Sequence, residues 1–274
     1  MLMAVWLNGS PINGLPTGDR GFAYGDGHFT TLPVRDGSPV LLSYHWQRLL
    51  AACQAFGIPV NRFPDWQRDF LRFAAAYPNA TAKIVITRGR GGRGYLPDET
   101  AEPHCYFMAW PVTAHSRDHQ HGIDSGVLKG VLGLNPLTAG HKHLNRLEQV
   151  MLRRELAETP FPEAVVCDLN GDVTEGVFSN LFLVKDQLLY TPPLTSAGVA
   201  GVMRAFLMDY LHSLQHTVRV LTLRVEHLEQ ADELFFCNSL YGIWPVRRFN
   251  GQPMPANPVT QRLQFHLQNA RITA

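Results

Sequence analysis

The spacing of hydrophobic and polar positions changes several times along the chain, and each change predicts a new element. Up to about residue 43, short apolar runs such as MAVWLNG and HFTTLPV alternate with Gly, Asp and Pro. This pattern is typical of a β-meander, with a hairpin turn at RDGS. The apolar positions that follow have the spacing of one helix face: Trp46, Leu49, Leu50, Cys53 and Phe56. Gly57 is expected to end that helix.

The rest of the first half predicts a second helix and two more strands. The helix is expected from Pro64 to Tyr77, and the strands are KIVITRG and CYFMAWPV. Helices and strands in this mixture favour an α+β domain covering residues 1–112. Residues 113–122, TAHSRDHQHG, are polar and rich in histidine, and we interpret them as a linker because no ligand set for a metal is complete there.

The second half, residues 123–274, alternates again and predicts a second domain. HKHLNRLEQVMLRRELAE has helical spacing that begins just after a lysine. The stretch from AVVCD to LLYTP predicts several antiparallel strands, with turns at LNGD and VKDQ. AGVAGVMRAFLMDYLHSL predicts a glycine-rich turn that leads into a helix. The NG dipeptide in RRFNGQPM predicts a final hairpin, and a last helix is expected at about Pro258 to Asn269.

Composition and charge exclude several classes of protein. The chain has 274 residues and a formal net charge of +1, which gives no electrostatic reason to expect a nucleic acid or a membrane surface as partner. Its apolar runs are too short to cross a bilayer, and its first residues do not read as a secretory signal. The four cysteines are scattered along the chain, so we expect each to be a small buried side chain. This usage is typical of a protein in a reducing cytoplasm.

Lys142 is the first candidate for covalent chemistry. It stands between His141 and His143, directly after Gly140. A lysine at a junction between loop and helix is ordinarily a solvated surface group, and this interpretation stays open. A nucleophilic lysine needs partial burial or a cationic neighbour that keeps its amine neutral, and flanking histidines are compatible with that.

Glu175 and a glycine-rich turn are the next candidates. Glu175 lies among apolar residues in DVTEGVFSNLFLV, where a buried carboxylate would need a partner, although a strand-edge Glu facing water is equally consistent. In AGVAGVMR, Gly201 precedes a helix whose first N–H groups, at Val202 and Met203, could stabilise an anion. Since AGVAGVMR is neither a G-x-G-x-x-G dinucleotide fingerprint nor a G-x-x-x-x-G-K-[ST] loop, a single phosphate is favoured over a nucleotide.

Further polar groups could complete an anion site. Ser239 offers a hydroxyl after the strand ELFFCN, and Arg48 offers a cation on the first helix. A turn residue and a helix-surface charge are their respective alternatives. Arg88, Arg90 and Arg93 in RGRGGRGY suit the recognition of carboxylate or phosphate, and a solvated basic loop is the other interpretation.

Taken in order, these segments resemble the fold-type IV pyridoxal-phosphate enzymes, the family of branched-chain and D-amino-acid aminotransferases. GFAYGDGHFTT is similar to the family's FGDG segment, and YHWQRLLAAC to its H-x-x-R-L helix. GHKHLNRLEQV resembles the segment of the Schiff-base lysine, and VTEGVFSNLF the T-E-G-x-x-S-N motif. AGVAGVMR and FCNS resemble the two phosphate-binding turns. The resemblance covers nearly the whole chain.

The resemblance implies a two-domain α+β fold. A smaller N-terminal α/β domain is expected at 1–112, and a larger C-terminal domain with an antiparallel, barrel-like sheet at 123–274, with the cofactor pyridoxal 5'-phosphate between them. A cytoplasmic homodimer is implied as well.

The resemblance also implies a role for each site residue. Lys142 would hold the cofactor and act in catalysis, and Glu175 would face the pyridine nitrogen. The phosphate would be bound by Arg48, the backbone of Val202 and Met203, and Ser239. No metal is implied.

Finer similarities concern the substrate. KHLNRLEQV and the RGxGGRGY loop look like the family's lyases, which release pyruvate from 4-amino-4-deoxychorismate and form p-aminobenzoate for folate synthesis. Arg93 and Tyr95 align with positions that hold a substrate carboxylate from the neighbouring subunit, although the second position is histidine in D-amino-acid aminotransferases. Phe29 stands where the family has a tyrosine. The alternative is a D-amino-acid or branched-chain aminotransferase, and a non-enzymatic phosphate-binding protein is a further one.

Overall fold

A computed structural model describes residues 1–98, 100–112, 117–255 and 257–269, and their contacts divide the chain into two units. Among these residues, the first unit contains 1–112 together with His141–Asn145, and the second contains 117–140 and the chain from Arg146 onward. Both units mix helices and strands, which confirms the α+β prediction. The predicted linker lies partly outside the described residues, and Arg117–His121 form a short 3-10 helix. The predicted domain bounds stay a prediction.

The first unit is built on one antiparallel sheet. Its strands are β1 (Ala4–Leu7), β2 (Ser10–Pro11), β3 (Gly27–Arg35), β4 (Ser38–Pro39), β5 (Ala80–Thr87) and β6 (His104–Trp110). Its helices are α1 (Arg20–Tyr24), α2 (Leu42–Phe56) and α3 (Phe63–Ala76). The strand order is β2-β1-β6-β5-β3-β4, and the predicted hairpin at Asp36 and Gly37 joins β3 to β4.

One face of this sheet packs into the core with α2 and α3. Since strand side chains alternate between faces, every second residue of the central strands joins that core. The core includes Leu32, Ile84, Ile86, Phe107, Leu49, Trp66, Phe70 and Phe73. The opposite face carries Phe29, Thr31 and Lys83, which are only partly buried. The side chains on that second face therefore remain accessible for binding or catalysis.

The segment GFAY forms a helix rather than the expected strand. The side chain of Asp19 accepts a hydrogen bond from the N–H of Gly21 at 2.7 Å and caps α1. Gly25 ends the helix in the left-handed region, with φ of 64°, which glycine adopts without a steric penalty. A local cap thus overrides the apolar alternation of the segment.

The second unit contains nine strands and four helices within the described residues. Its strands are β7 (Ile123–Ser125), β8 (Val165–Cys167), β9 (Val173–Gly176), β10 (Asn180–Lys185), β11 (Leu188–Thr191), β12 (Val218–Val220), β13 (Glu233–Asn238), β14 (Gly242–Phe249) and β15 (Gln252–Pro253). Its helices are α4 (Leu147–Ala157), α5 (Val202–Ser213), α6 (Val225–Glu229) and α7 (Pro258–Asn269). The large sheet has the order β12-β11-β10-β13-β14-β15, β7 pairs with β14, and β8 pairs with β9. The predicted final hairpin and last helix are present.

Helix α4 begins later than the sequence pattern predicts. It starts at Leu147, whereas the apolar spacing places its start just after Lys142. The intervening residues are extended because their backbone pairs with β3: the N–H of Leu144 donates to the carbonyl of Gly27 at 3.0 Å.

No helix in the described part of the chain is long and apolar enough to cross a membrane.

Candidate active site

Lys142 lies on the extended segment beside β3. The N–H of Phe29 donates to the carbonyl of Lys142 at 2.9 Å, and His28 and His143 form a bridge between the two stretches. The half-buried side chain of Lys142 places its Nζ 5.0 Å from the centroid of the Phe29 ring. The backbone pairing fixes the main chain of Lys142, and the ring of Phe29 lies beside its amine.

Two histidines near this segment are neutral at physiological pH. Burial lowers the pKa of His28 to about 3, and the nearby charge of Arg48 adds to the shift. Burial also lowers the pKa of His141, whose ring packs against Phe56 at 5.2 Å. These rings therefore lie at the lysine segment without adding positive charge to it.

Arg48 reaches from α2 to the buried face of β3. Its guanidinium donates to the hydroxyl of Thr30, which in turn contacts Nδ1 of His45. Burial lowers the pKa of Arg48 to about 10, so it remains charged near neutral pH, and its Nε is buried with no hydrogen-bond partner. Within the described residues no carboxylate lies within salt-bridge distance of Arg48. A buried cation in this state is expected to favour a bound anion.

Arg93 and Tyr95 lie on a glycine-rich loop that Arg20 holds in place. The buried guanidinium of Arg20 donates to the carbonyls of Gly94 and Tyr95, both at 3.0 Å, and pairs with Asp26 at 2.8 Å. The side chains of Arg93 and Tyr95 are exposed, and Tyr95 retains 89% of its accessible area. The loop backbone is therefore fixed, while its side chains are presented outward.

Arg88 does not belong with the exposed arginines of this loop. It is buried, pairs with Asp26 at 2.8 Å, and donates to the carbonyls of Phe56 and Gly57, each at 2.8 Å. The guanidinium of Arg88 thus connects the end of β5 to the end of α2. Of the arginines in RGRGGRGY, the structure leaves Arg90 and Arg93 exposed.

Glu175 is a buried carboxylate in the second unit, with 6% of its area exposed. Its Oε2 accepts a hydrogen bond from the N–H of Val199 at 2.9 Å. Burial lowers the pKa of Arg146, and the negative charges of Glu175 and Glu148 oppose that shift, which places Arg146 near Glu175. Glu175 is therefore an interior group and not a strand-edge side chain facing water.

Asn180 fixes the same turn from the other side. Its amide donates to the carbonyl of Val199 at 2.8 Å, and its Oδ1 accepts from the N–H of Gly201 at 2.9 Å. A Cβ at position 201 would lie 2.1 Å from that Oδ1, so the contact requires glycine. The T-E-G-x-x-S-N segment and the AGVAGVMR turn are thus one hydrogen-bonded assembly. The sequence separates them and did not reveal this role of Asn180.

The turn leads into the first residues of α5. Gly201 is the N-cap of this 12-residue helix, and no side chain caps it. The N–H groups of Val202 and Met203 therefore have no partner inside the helix, which leaves an anion-binding end with a favourable dipole. Ser239, also in the second unit, lies half-buried in the turn after β13.

A further carboxylate, Glu163, organises the chain directly after Glu175. It is fully buried, and its Oε1 accepts from the N–H groups of Ala164 at 3.0 Å and Val177 at 2.9 Å. Its Oε2 accepts from the hydroxyl of Ser179 at 2.7 Å. Burial raises the pKa of Glu163 to about 7, and these hydrogen bonds oppose the shift. No motif in the sequence points to this residue, which stands among apolar neighbours.

The predicted residues fall into two groups, one in each unit. Phe29, Lys142 and Arg48 cluster around β3, with Arg93 and Tyr95 on the loop of the same unit. The second group, in the other unit, contains Glu175, Val202, Met203 and Ser239.

Metal binding and disulfide bonding find no support in the described residues. They contain no group of His, Cys, Asp or Glu side chains able to hold a metal ion. The four cysteines are buried thiols, as expected.

Comparison with known proteins identifies the family. Residues 27–249 match the family described as amino-transferase class IV. The chain is 40% identical to the aminodeoxychorismate lyase of Vibrio harveyi, covering 96% of this chain and 98% of the relative. It is 28% identical to the branched-chain-amino-acid aminotransferase of Escherichia coli K12, covering 95% and 90%. The solved 4-amino-4-deoxychorismate lyase of Pseudomonas aeruginosa has a TM-score of 0.94 at 40% identity, covering 98% of this chain and 99% of that one. This chain belongs to the amino-transferase class IV family.

Proposed function

We propose that this protein is a pyridoxal-phosphate-dependent lyase that converts 4-amino-4-deoxychorismate to p-aminobenzoate and pyruvate. The observation that carries the proposal is the 40% identity to a lyase of that name along nearly the full length of both chains. The aminotransferase alternative has weaker support, at 28% identity. The product places the enzyme in folate biosynthesis.

The chemistry of the side chains fits pyridoxal phosphate. Lys142 offers a half-buried amine for the aldehyde, and Glu175 a buried carboxylate for the pyridine nitrogen. Arg48 offers a cation without a described carboxylate partner, and Val202 and Met203 offer the uncapped start of α5 for the phosphate, with Ser239 adding a hydroxyl. When bound, the cofactor supplies an aldehyde for the substrate amine and a ring that delocalises negative charge.

The residues of the chain then orient the substrate and move a proton. With the cofactor bound, the Nζ of Lys142 would serve as the base that takes the proton from the substrate carbon bearing the nitrogen. Glu175, held by the N–H of Val199, would keep the pyridine nitrogen protonated. The electron pair left by that proton would expel enolpyruvate from the neighbouring carbon, and the enolpyruvate would take up a proton to become pyruvate. The substrate ring thereby becomes aromatic, which supplies much of the driving force.

Phe29, Arg93 and Tyr95 are proposed to bind the substrate. Phe29 forms a wall without a hydroxyl beside the amine of Lys142. The loop of Arg93 and Tyr95 is held by Arg20 with its side chains outward, as expected if they serve the neighbouring subunit of a homodimer. Exposed Phe22, Tyr95 and Leu96 provide apolar area for such an interface. Buried thiols agree with a cytoplasmic location.

One experiment tests the lyase and its lysine together. The purified protein is supplied with chorismate, glutamine and an amidating synthase, and pyruvate and p-aminobenzoate are measured without any amino acceptor. We expect both products from the wild type. Lys142→Ala should lose both the products and the visible absorbance of bound cofactor, whereas the exposed control Lys185→Ala should keep them.

Two results would contradict the proposal. Persistence of product and absorbance in Lys142→Ala would refute the assignment of the lysine. Conversion of the wild-type cofactor to its amino form by D-alanine or a branched-chain amino acid, without pyruvate release from aminodeoxychorismate, would favour the aminotransferase.

A further inference from the structure

Lys83 brings a second amine to the ring of Phe29. Its Nζ lies 4.1 Å from the ring centroid, and the Nζ of Lys142 lies 5.0 Å from the same centroid. The sequence pattern assigned Lys83 no role, and it stands inside a strand of mostly apolar residues. The structure places both amines against a single aromatic ring.

The strand register explains this placement. Thr31 pairs with Lys83 across β3 and β5, and Phe29 pairs with Val85. Residues two apart share a face, so Phe29 and Lys83 are diagonal neighbours on the open face of the sheet, within reach of long side chains. The intervening Ile84 points into the core on the other face.

The charge of Lys83 is poorly compensated within the chain. The side chain is half-buried, and burial lowers its pKa. In the part of the chain that the structure describes, no carboxylate lies within salt-bridge distance of Lys83. A cation over an aromatic ring is attracted to the ring face, and the ammonium keeps three N–H donors for other partners. An anionic ligand would supply the missing charge.

We propose that Lys83 binds the ring carboxylate of the substrate, at the end of the ring remote from the amine. The proposal rests on the proposed function, because that function directs the substrate amine to Lys142. Phe29 offers a flat surface for the substrate ring beside both amines. The ligand class is a six-membered ring that carries an amine at one end and a carboxylate at the other. An α-amino acid with an apolar side chain carries both groups on one carbon and cannot use two separate amines in this way.

A second role for Lys83 is compatible with the same positions and must be separated from it. A neighbouring ammonium can lower the pKa of a lysine amine and so activate it. That role would alter the protonation of Lys142 in the absence of substrate. Carboxylate binding instead depends on the charge of the ligand.

The experiment measures binding of a charged ligand and of its neutral analogue to the cofactor-loaded protein. Dissociation constants for 4-aminobenzoate and 4-aminobenzamide are determined by calorimetry for wild type, Lys83→Met, Lys83→Arg and the exposed control Lys185→Met. Methionine keeps a stem of similar length without the charge. We expect Lys83→Met to weaken 4-aminobenzoate about tenfold, the effect of losing one charged hydrogen bond of about 1.4 kcal/mol, and 4-aminobenzamide less than about twofold. The dissociation constants of Lys83→Arg should stay within about threefold of those of wild type. Those of Lys185→Met should equal the wild-type values.

Kinetics supply the second readout. In Lys83→Met we expect the KM for aminodeoxychorismate to rise about tenfold with kcat within about threefold, because the contact is made in both ground and transition states. Equal loss of affinity for the acid and the amide, or no loss for either, would overturn the proposal. A shift in the pH dependence of cofactor absorbance with unchanged binding of 4-aminobenzoate would also overturn it, in favour of the activating role.

Failure of the proposed function gives a different result. The benzoate measurements need no turnover, so a wild type that binds 4-aminobenzoate through Lys83 but releases no pyruvate would refute the lyase and leave the subsite standing. A lyase that binds acid and amide equally well in wild type would refute the subsite alone.

Discussion

The cations Arg48 and Lys83, near β3, and the carboxylates Glu175 and Glu163, near β9, differ in the partners that the folded chain offers them. Arg48 and Lys83 are partly or wholly removed from water, yet neither has a carboxylate in range among the described residues. Glu175 and Glu163, in the other unit, each accept hydrogen bonds from backbone N–H groups. The carboxylates therefore fix the backbone of the chain, whereas the cations remain able to bind an anion.

This difference has a thermodynamic consequence. A buried carboxylate that accepts several N–H bonds stabilises the turns it joins, and its removal leaves those donors without partners. A buried cation without a counter-ion costs desolvation free energy until an anion arrives. Substitutions in the two regions should thus have opposite effects on the protein without ligands.

The largest expected effect concerns Glu175 and is confined to activity. Glu175→Gln keeps an oxygen for the N–H of Val199, so the turn should persist and the melting temperature should change little. It loses the negative charge proposed to hold the pyridine nitrogen protonated. We expect kcat to fall on the order of 10²–10³-fold, as for the loss of one preorganised electrostatic group. Steady-state pyruvate release and thermal unfolding measure the two quantities, and a stable variant with full activity would contradict the role.

Glu163 should show the next largest effect, on stability. Glu163→Ala leaves the N–H groups of Ala164 and Val177 and the hydroxyl of Ser179 without their acceptor. We expect the free energy of unfolding to fall by about 3 kcal/mol, as measured by chemical denaturation. A loss below about 1 kcal/mol would show that water or a rearranged turn satisfies these donors.

Glu163 also predicts a dependence of stability on pH. Its pKa is about 7 in the folded chain and about 4.5 for an ordinary Glu, so the folded state binds more protons between these values. The free energy of unfolding should therefore decrease by about 3 kcal/mol as pH rises from 4.5 through 7.

The matched variant is Glu163→Gln, which resembles the protonated acid because its amide can donate to Ser179. It should lack this pH dependence and be the more stable protein at pH 8. Identical pH profiles for the two proteins would rule out Glu163 as the source.

Substitution of Arg48 should have the smallest effect on stability. In the absence of cofactor its sign should be opposite to that of the Glu163→Ala substitution. Arg48→Met removes a buried cation whose Nε has no hydrogen-bond partner. We expect the cofactor-free protein to be as stable as wild type or slightly more so, while cofactor affinity falls about tenfold. Thermal unfolding with and without pyridoxal phosphate measures both. A strong loss of stability in the cofactor-free variant would show that the bond to Thr30 is structural.

The sequence alone determined most local elements and the positions of the motifs. Helix α2, the hairpins at Asp36 and Asn250, and the turn into α5 depend on apolar period, glycine and short-range turn chemistry, which neighbouring residues specify. The order of the motifs indicated the family, and the comparisons confirm it. The roles of Lys142 and Glu175 remain predictions that rest on those motifs.

Only the tertiary structure decided which distant residues meet. The pairing of residues 142–144 with β3 delays the start of α4, and no local propensity encodes a bond between Leu144 and Gly27. Asn180 and Glu163 bind backbone groups that lie 14 to 21 residues away in the chain, and Lys83 meets Phe29 across a strand register. Such contacts depend on sheet pairing and burial, which fix a side chain's partners only after the chain has folded.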